Sequence, residues 1–270
     1  MKTIVTATLL MALAAGPHAY GQWQNVPDKS IPRTSSGEPD LTAPVPRAAN
    51  GKPNLSGTWL PDVDPPPEGE LFVEVDQPFP RHIIDIMADL KPGEVEMTPW
   101  AAALFEQRLE RGDLDSPIAN CKPWGVPLLT ANIIPYKIVQ MPDLIIILNK
   151  QDTVFRQIFL DGREPVDDPL PRWMGYSTGR WDGDALIVDT TGIIEDSWLD
   201  AIGHPHSENL HVIERFRRRD TGHLEIETTI DDPDAYAQLF TYTVTAKIMP
   251  DDDLLEYFCT DNELSIEHYQ

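Results

Sequence analysis

The sequence predicts a mainly β protein, an antiparallel barrel or a closed β-sandwich, with two short helices and a proline-rich N-terminal arm. Three observations carry this. From Tyr136 onward, apolar and polar residues alternate with the period of two expected of strands that bury one face. The runs are punctuated by Met141-Pro142-Asp143, Trp181-Asp182-Gly183-Asp184 and Arg219-Asp220-Thr221-Gly222. Their Pro, Asp and Gly suit tight turns, and Asp182-Gly183 is the strongest hairpin signal. Finally, the runs are more than one flat sheet carries, which favours closure.

Taken in order, the chain opens with Lys2 ahead of a largely apolar run from Ile4 to Ala15, then Ala19-Tyr20-Gly21 as a small-residue cleavage site. This is the pattern of a secretory signal peptide over residues 1–21. The run is too short for a bilayer span, which takes about 20 residues. Residues 22–53 are rich in proline and polar groups and read as an extended arm, since proline lacks the donor that strand and helix interiors need. The barrel domain is assigned to 54–270, beginning with a strand in Asn-Leu-Ser-Gly-Thr-Trp-Leu, near 55–60. Ile83, Ile84, Met87 and Leu90 recur at helical spacing. A second helix starts at Thr98, with Pro99 in its first turn, and ends at Gly112, presenting Leu104, Phe105 and Leu109. Strands follow near 136–141, 144–150, 153–161, 173–181, 185–191, 210–219, 223–231, 239–249 and 253–261, most of them joined as an antiparallel meander.

Period two sorts each strand into faces. Leu210, Val212, Glu214 and Phe216 share an inward face, as do Leu224, Ile226, Thr228 and Ile230, and Phe240, Tyr242, Val244 and Ile248. The first set carries Glu214 inside. Asp189, alternating with Ala185 and Ile187, and Glu256, with Leu254 and Phe258, are further inward candidates. A buried carboxylate needs a partner, and Arg156, Tyr176 and Arg180 are the candidates. Either a structural ion pair or a cluster that orients a ligand would result.

The connector 192–209 is too long for a hairpin turn, and long loops in compact domains often carry function. His204, His206 and His211 lie in or beside it. Zinc or copper takes three or four ligands from imidazole, thiolate or carboxylate. His204 and His206, two apart on an extended chain, could ligate together, with His211 or Glu208 completing the set. The spacing fits neither His-Glu-x-x-His nor a zinc finger, so no cofactor is expected and a single metal ion is the alternative. As an acid–base group, His206 stands before the strand bearing Glu214, with Asp200 or Glu208 to orient its ring. Gly175-Tyr176-Ser177-Thr178-Gly179 has the letters of a nucleophile elbow, but its hairpin context is wrong for one.

The formal charge of −23 over 270 residues argues against nucleic acid and anionic membrane surfaces as partners. The two cysteines, Cys121 and Cys259, are expected to form a disulfide, as in a periplasmic or secreted protein.

Several stretches resemble a family of exported bacterial proteins of mostly unassigned function. They are Asp161-Gly162-Arg163, Gly175-x-Ser177-x-Gly179-x-Trp181, His206-Ser207-Glu208 before Glu214-Arg215-Phe216, and Asp231-Asp232-Pro233. The resemblance spans more than half of the mature chain and implies no particular activity. Thr260 stands where some relatives carry a histidine. The Gly57-x-Trp59 pair also resembles the first strand of lipocalins, which implies a lipocalin-like, open-mouthed barrel.

Two function classes follow. One is an exported enzyme of lyase or hydrolase type, acting by acid–base chemistry on a small apolar compound, aromatic ones included, in the barrel cavity. Its base or acid would be His206, with Glu214 and Tyr176 beside it, and Arg156, Arg180, Asp189 and Glu208 would contact the compound. The other is a non-catalytic protein that binds a small molecule in the same cavity, or one that holds a metal through His204, His206 and His211.

Overall fold

The computed structural model describes residues 27–62 and 81–259. The expected signal peptide lies outside the described residues. Nine strands close into one barrel: β1 (Gly57–Pro61), β2 (Tyr136–Gln140), β3 (Leu144–Asn149), β4 (Phe155–Phe159), β5 (Tyr176–Asp182), β6 (Ala185–Thr191), β7 (His211–Arg218), β8 (His223–Asp231) and β9 (Phe240–Ile248). β1 pairs with both β2 and β9. The fold is therefore the expected barrel rather than a sandwich.

Strand direction can alternate all the way round a ring only when the number of strands is even. With nine, one neighbouring pair must run parallel, and that pair is β4–β5. It is joined at just Ile158↔Ser177 and Phe159↔Thr178, whereas β7 and β8 register over eight pairs. The meander is thus interrupted once. Residues 160–175, with Pro165, Pro169 and Pro171, carry the chain back along the barrel so that β5 starts at the same end as β4.

The expected strand at 253–261 does not form over its described part. Residues 253–259 make one isolated bridge, Gln151↔Tyr257, and reach Cys259. Pairing of β9 with β1 has closed the ring, so no edge remains for another strand. Glu256 is exposed rather than inward. The predicted bond between Cys121 and Cys259 is present, with the Cα atoms 5.4 Å apart.

Among the described residues, helical structure is confined to the 81–131 segment. α1 (Arg81–Ile84) is a single turn, shorter than the Ile83–Leu90 pattern suggests. α2 (Pro99–Arg111) begins as expected, with Thr98 Oγ1 accepting from the Ala101 amide. Its buried residue is Ala101, and Leu109 is 52% exposed, so the helix rests on a face rotated from the expected one. α3 (Leu128–Ala131) is a third, wholly buried turn.

The two barrel ends are covered differently. At the lower end lie the three hairpin turns and the arm. The arm contains a tandem repeat: Pro32-Arg33 to Pro39-Asp40-Leu41 matches Pro46-Arg47 to Pro53-Asn54-Leu55, each with a glycine at the same place, Gly37 and Gly51. Each copy folds as a small clip, Asp40 N donating to Pro32 O and Asn54 N to Pro46 O, both at 2.8 Å. The clips are tied to the barrel by Arg33–Asp251 and Arg47–Asp184. Gly222 N donates to Leu41 O at 2.7 Å, and a Cβ on Gly222 would sit 2.5 Å from that of Leu41, so only glycine allows this approach. Above the clips, Arg218 lies 4.9 Å from the Trp59 ring and donates to Asn54 O.

The upper end is covered by the 81–131 segment and by the β6–β7 and β8–β9 connections. Ala201 N donates to Ile83 O, Thr98 N to Ala235 O and Asn149 Nδ2 to Leu129 O. His82 stacks on Tyr242. With both ends covered, Trp59, Ile138, Ile147, Phe216 and Ile226 pack the interior at 0–1% exposure. This is a filled core inside a closed barrel, consistent with the lipocalin-like barrel that the sequence predicts.

The disulfide closes a loop of 138 residues. By loop entropy such a link stabilises by up to about 5 kcal/mol. Cys121→Ser with Cys259→Ser is expected to lower the urea midpoint by an amount equivalent to about 2–5 kcal/mol, measured by circular dichroism.

Candidate functional site

Alternation along β4 points Arg156 inward, and along β7 it does the same for Glu214. Their side chains are 1% and 0% exposed and meet at 2.5 Å. Arg156 Nη2 also donates to Thr190 Oγ1 at 2.7 Å and Nε to Ser177 Oγ at 3.1 Å, while the two hydroxyls lie 2.9 Å apart. Of the residues singled out in the sequence, Arg156 and Glu214 are thus brought together. Thr228 and Tyr242 continue the row beside Glu214 in the strand register. Burial and the charge of Glu214 both hold the Tyr136 and Tyr242 hydroxyls in their neutral form.

The Gly-x-Ser-x-Gly stretch serves this cluster. Ser177 is buried and hydrogen-bonded, and no helix follows it, so it is not a nucleophile elbow. Gly175 has φ +57° and lies where a Cβ would be 2.7 Å from Thr191 O. A Cβ on Gly179 would meet Leu160 at 2.7 Å. Both glycines permit close packing beside the seam.

The remaining expected contacts are placed elsewhere. On β6 the inward residues are Leu186, Val188 and Thr190, so Asp189 faces out. There it binds Arg180 at 2.5 Å and His211 at 3.2 Å, a solvent-side ion cluster. Tyr176 is on the outer face too, 5.4 Å from the Phe159 ring, and accepts from Arg163. Glu208 is exposed.

The three histidines do not converge. His204 Nδ1 bonds Asp200 Oδ2, and its ring stacks on Phe105 at 4.2 Å. Asp200 also accepts from the amides of Ile86, Gly203 and His204, so this buried carboxylate pins the loop to the helical segment. Asp85, Asp200 and His204 could offer one atom each to a metal within 4.8 Å of one another. Asp200 would have to give up bonds to do so.

His206 has different partners. Its Nδ1 is 2.9 Å from Ser207 O, a carbonyl that can only accept, so Nδ1 carries the proton. Nε2 is 2.8 Å from Ser197 Oγ, which also lies 2.9 Å from Ile194 O. The single hydroxyl proton of Ser197 is shared between those two acceptors. Burial lowers the His206 pKa from its ordinary 6.5, against the opposing pull of Ser207 O and Asp232. The expected partnership of His206 with Glu214 is replaced by Ser197 on one side and Arg156 on the other. Ser197 was not legible, since a loop has no period to link residues nine apart. Asp232 accepts from Ser207 N and Oγ, joining the two upper loops.

The largest of the described grooves, about 800 Å³, lies outside the barrel beside the β4–β5 seam. Phe155, Phe159, Trp173, Met174 and Ile194 form its apolar walls, and Gln157, Arg172 and Tyr176 supply polar groups. A second groove of about 650 Å³, bordered by Leu148, Leu254 and Leu255, shares Thr153 and Val154 with it.

Two outcomes follow from this geometry. Glu214→Ala leaves Arg156 buried and unpaired and is expected to destabilise by about 3–5 kcal/mol, whereas replacing both partners with apolar residues costs less. This is measurable by urea unfolding. For His206, the folded pKa lies below the unfolded value, so the unfolded chain binds the extra proton first. Its stabilisation is complete above pH 6.5 and is lost as pH falls through the folded value. His206→Gln should flatten that acid limb of a stability–pH curve.

Comparison of the chain with family models, with curated proteins and with solved structures returns no match.

Proposed function

We propose that the protein is an exported binding protein for a small, largely apolar, aromatic compound, held in the groove beside the β4–β5 seam. The observation that carries this is the groove itself. Its volume and its mostly apolar, aromatic lining with a few polar groups match small-molecule sites, which run from about 300 to 1,000 Å³. The disulfide suits an oxidising compartment. The acidic charge of the chain favours a neutral compound over an anion.

A second reading, the acid–base enzyme of lyase or hydrolase type, rests on the Ser197–His206 pair. A neutral imidazole at hydrogen-bond distance from a hydroxyl is the pattern of an activated nucleophile. Both residues are 1% exposed, so a substrate would reach them only after the residues covering them move. Binding is therefore the better-supported reading.

1-Naphthyl acetate tests both readings. The mature chain is expected to bind it, with Trp173→Ala weakening affinity at least about tenfold and His206→Ala leaving it within twofold, read by fluorescence titration. Equal affinity in wild type and Trp173→Ala would overturn the groove reading. Release of naphthol that disappears in Ser197→Ala would establish the enzyme instead.

A further inference from the structure

β4 is fully paired on one side only. Toward β3 it registers along its whole length, from Leu148↔Phe155 to Leu144↔Phe159. Toward β5 the register starts at Ile158↔Ser177. Upstream of that pair the chain of β5 turns away, with Arg172 bridging to Ile193 and its amide donating to Gly192 O. Among the described residues, no strand pairs with Phe155, Arg156 or Gln157 on this side.

The ladder fixes where each peptide group points. In an antiparallel pair the N–H and C=O of one residue face the same neighbour, and successive residues alternate between neighbours. Asn149 N donates to Val154 O and Leu160 N to Asp143 O, so the even-numbered residues of β4 face β3. Both the N–H and the C=O of Phe155 therefore face the seam. Among the described residues, no backbone bond from a loop takes either group. Phe155 is 57% exposed and forms part of the wall of the groove of about 800 Å³, so its two free groups open onto the groove and not onto packed core.

We propose that the groove takes a short, uncharged stretch of extended peptide that adds to β4 at Phe155. One aromatic residue of this ligand donates its N–H to Phe155 O and accepts from Phe155 N–H. The proposal rests on the groove reading above and names its ligand class. Alternation settles the direction of the added strand. An antiparallel partner opposite Phe155 carries its side chain on the same face as Phe155, outside the barrel, where Phe159, Trp173 and Met174 line the groove. A parallel partner, continuing the line of β5, would bond Phe155 O and Gln157 N and stand opposite Arg156. Its side chain would then point into the interior, where Arg156 is 1% exposed and no room is left. Strand addition of this kind draws affinity from main-chain bonds and specificity from the side-chain pocket. An uncharged segment also avoids the repulsion that a chain of formal charge −23 exerts on an anion.

The test uses the full mature chain and two probes, N-acetylphenylalanine methylamide and its ester isostere, in which oxygen replaces the phenylalanine N–H. Affinity is read by calorimetry, and the Phe155 amide by hydrogen exchange followed by NMR. The methylamide is expected to bind at least about fivefold more tightly than the isostere, the worth of one hydrogen bond. It should also slow exchange of the Phe155 amide and bind more weakly to Trp173→Ala. Absence of methylamide binding, equal affinity for the two probes, or unchanged exchange at Phe155 under saturating methylamide overturns the proposal. If 1-naphthyl acetate binds all the same and responds to Trp173→Ala, the groove reading stands and only the peptide is removed. If neither the methylamide nor 1-naphthyl acetate binds, both readings fall.

Discussion

An odd number of strands cannot alternate in direction around a closed ring. In this barrel that constraint produces the β4–β5 seam, and much else is arranged around it. A parallel pair needs a crossover, which is why the chain spends residues 160–175 outside the barrel. That crossover contributes Trp173 and Met174 to the groove. Short pairing at the seam leaves Phe155 and Gln157 at the upper part of β4 without neighbours on β5, and they become groove walls. The concave surface is therefore a consequence of topology rather than an addition to it.

The interior beside the seam is organised by Arg156. Its side chain reaches Ser177 on β5, Thr190 on β6 and Glu214 on β7, so one guanidinium spans four consecutive strands, its own included, where β-pairing is weakest. A buried ion pair is weak evidence for net stability, because desolvation opposes the attraction. What this one supplies is register. Shifting β4 or β7 by a residue would turn its charged group outward and leave the other buried and unpaired, and shifting β5 or β6 would remove a hydroxyl partner of Arg156.

How much of this the sequence reveals depends on the kind of signal. Strands with one apolar face, such as β7, β8 and β9, declare both their position and their inward residues, and Glu214 could be placed inside from alternation alone. β6 does not declare itself, because Leu186, Ile187 and Val188 are all buried and the two faces look alike. Asp189 is misplaced for that reason. Period two carries no strand direction either, so it does not reveal the parallel seam. Two cysteines leave a single intramolecular pairing, and the bond is as expected. The histidine loop shows the opposite case: three histidines close in sequence take three separate partners, Asp200, Ser197 and Asp189, because an irregular backbone sends neighbouring side chains in unrelated directions.

The clips of the arm have a consequence for the order in which the molecule can assemble. Arg33 and its partner Asp251 are separated by 218 positions, and β1 needs β9. The arm precedes in sequence every part of the surface that receives it, which is built from the turns at 183–184 and 219–222 and from Pro250 and Asp251. Contacts this distant in sequence make folding slow and keep it from beginning early. The arm therefore docks only once those later segments are in place, and until then it is not latched to the barrel.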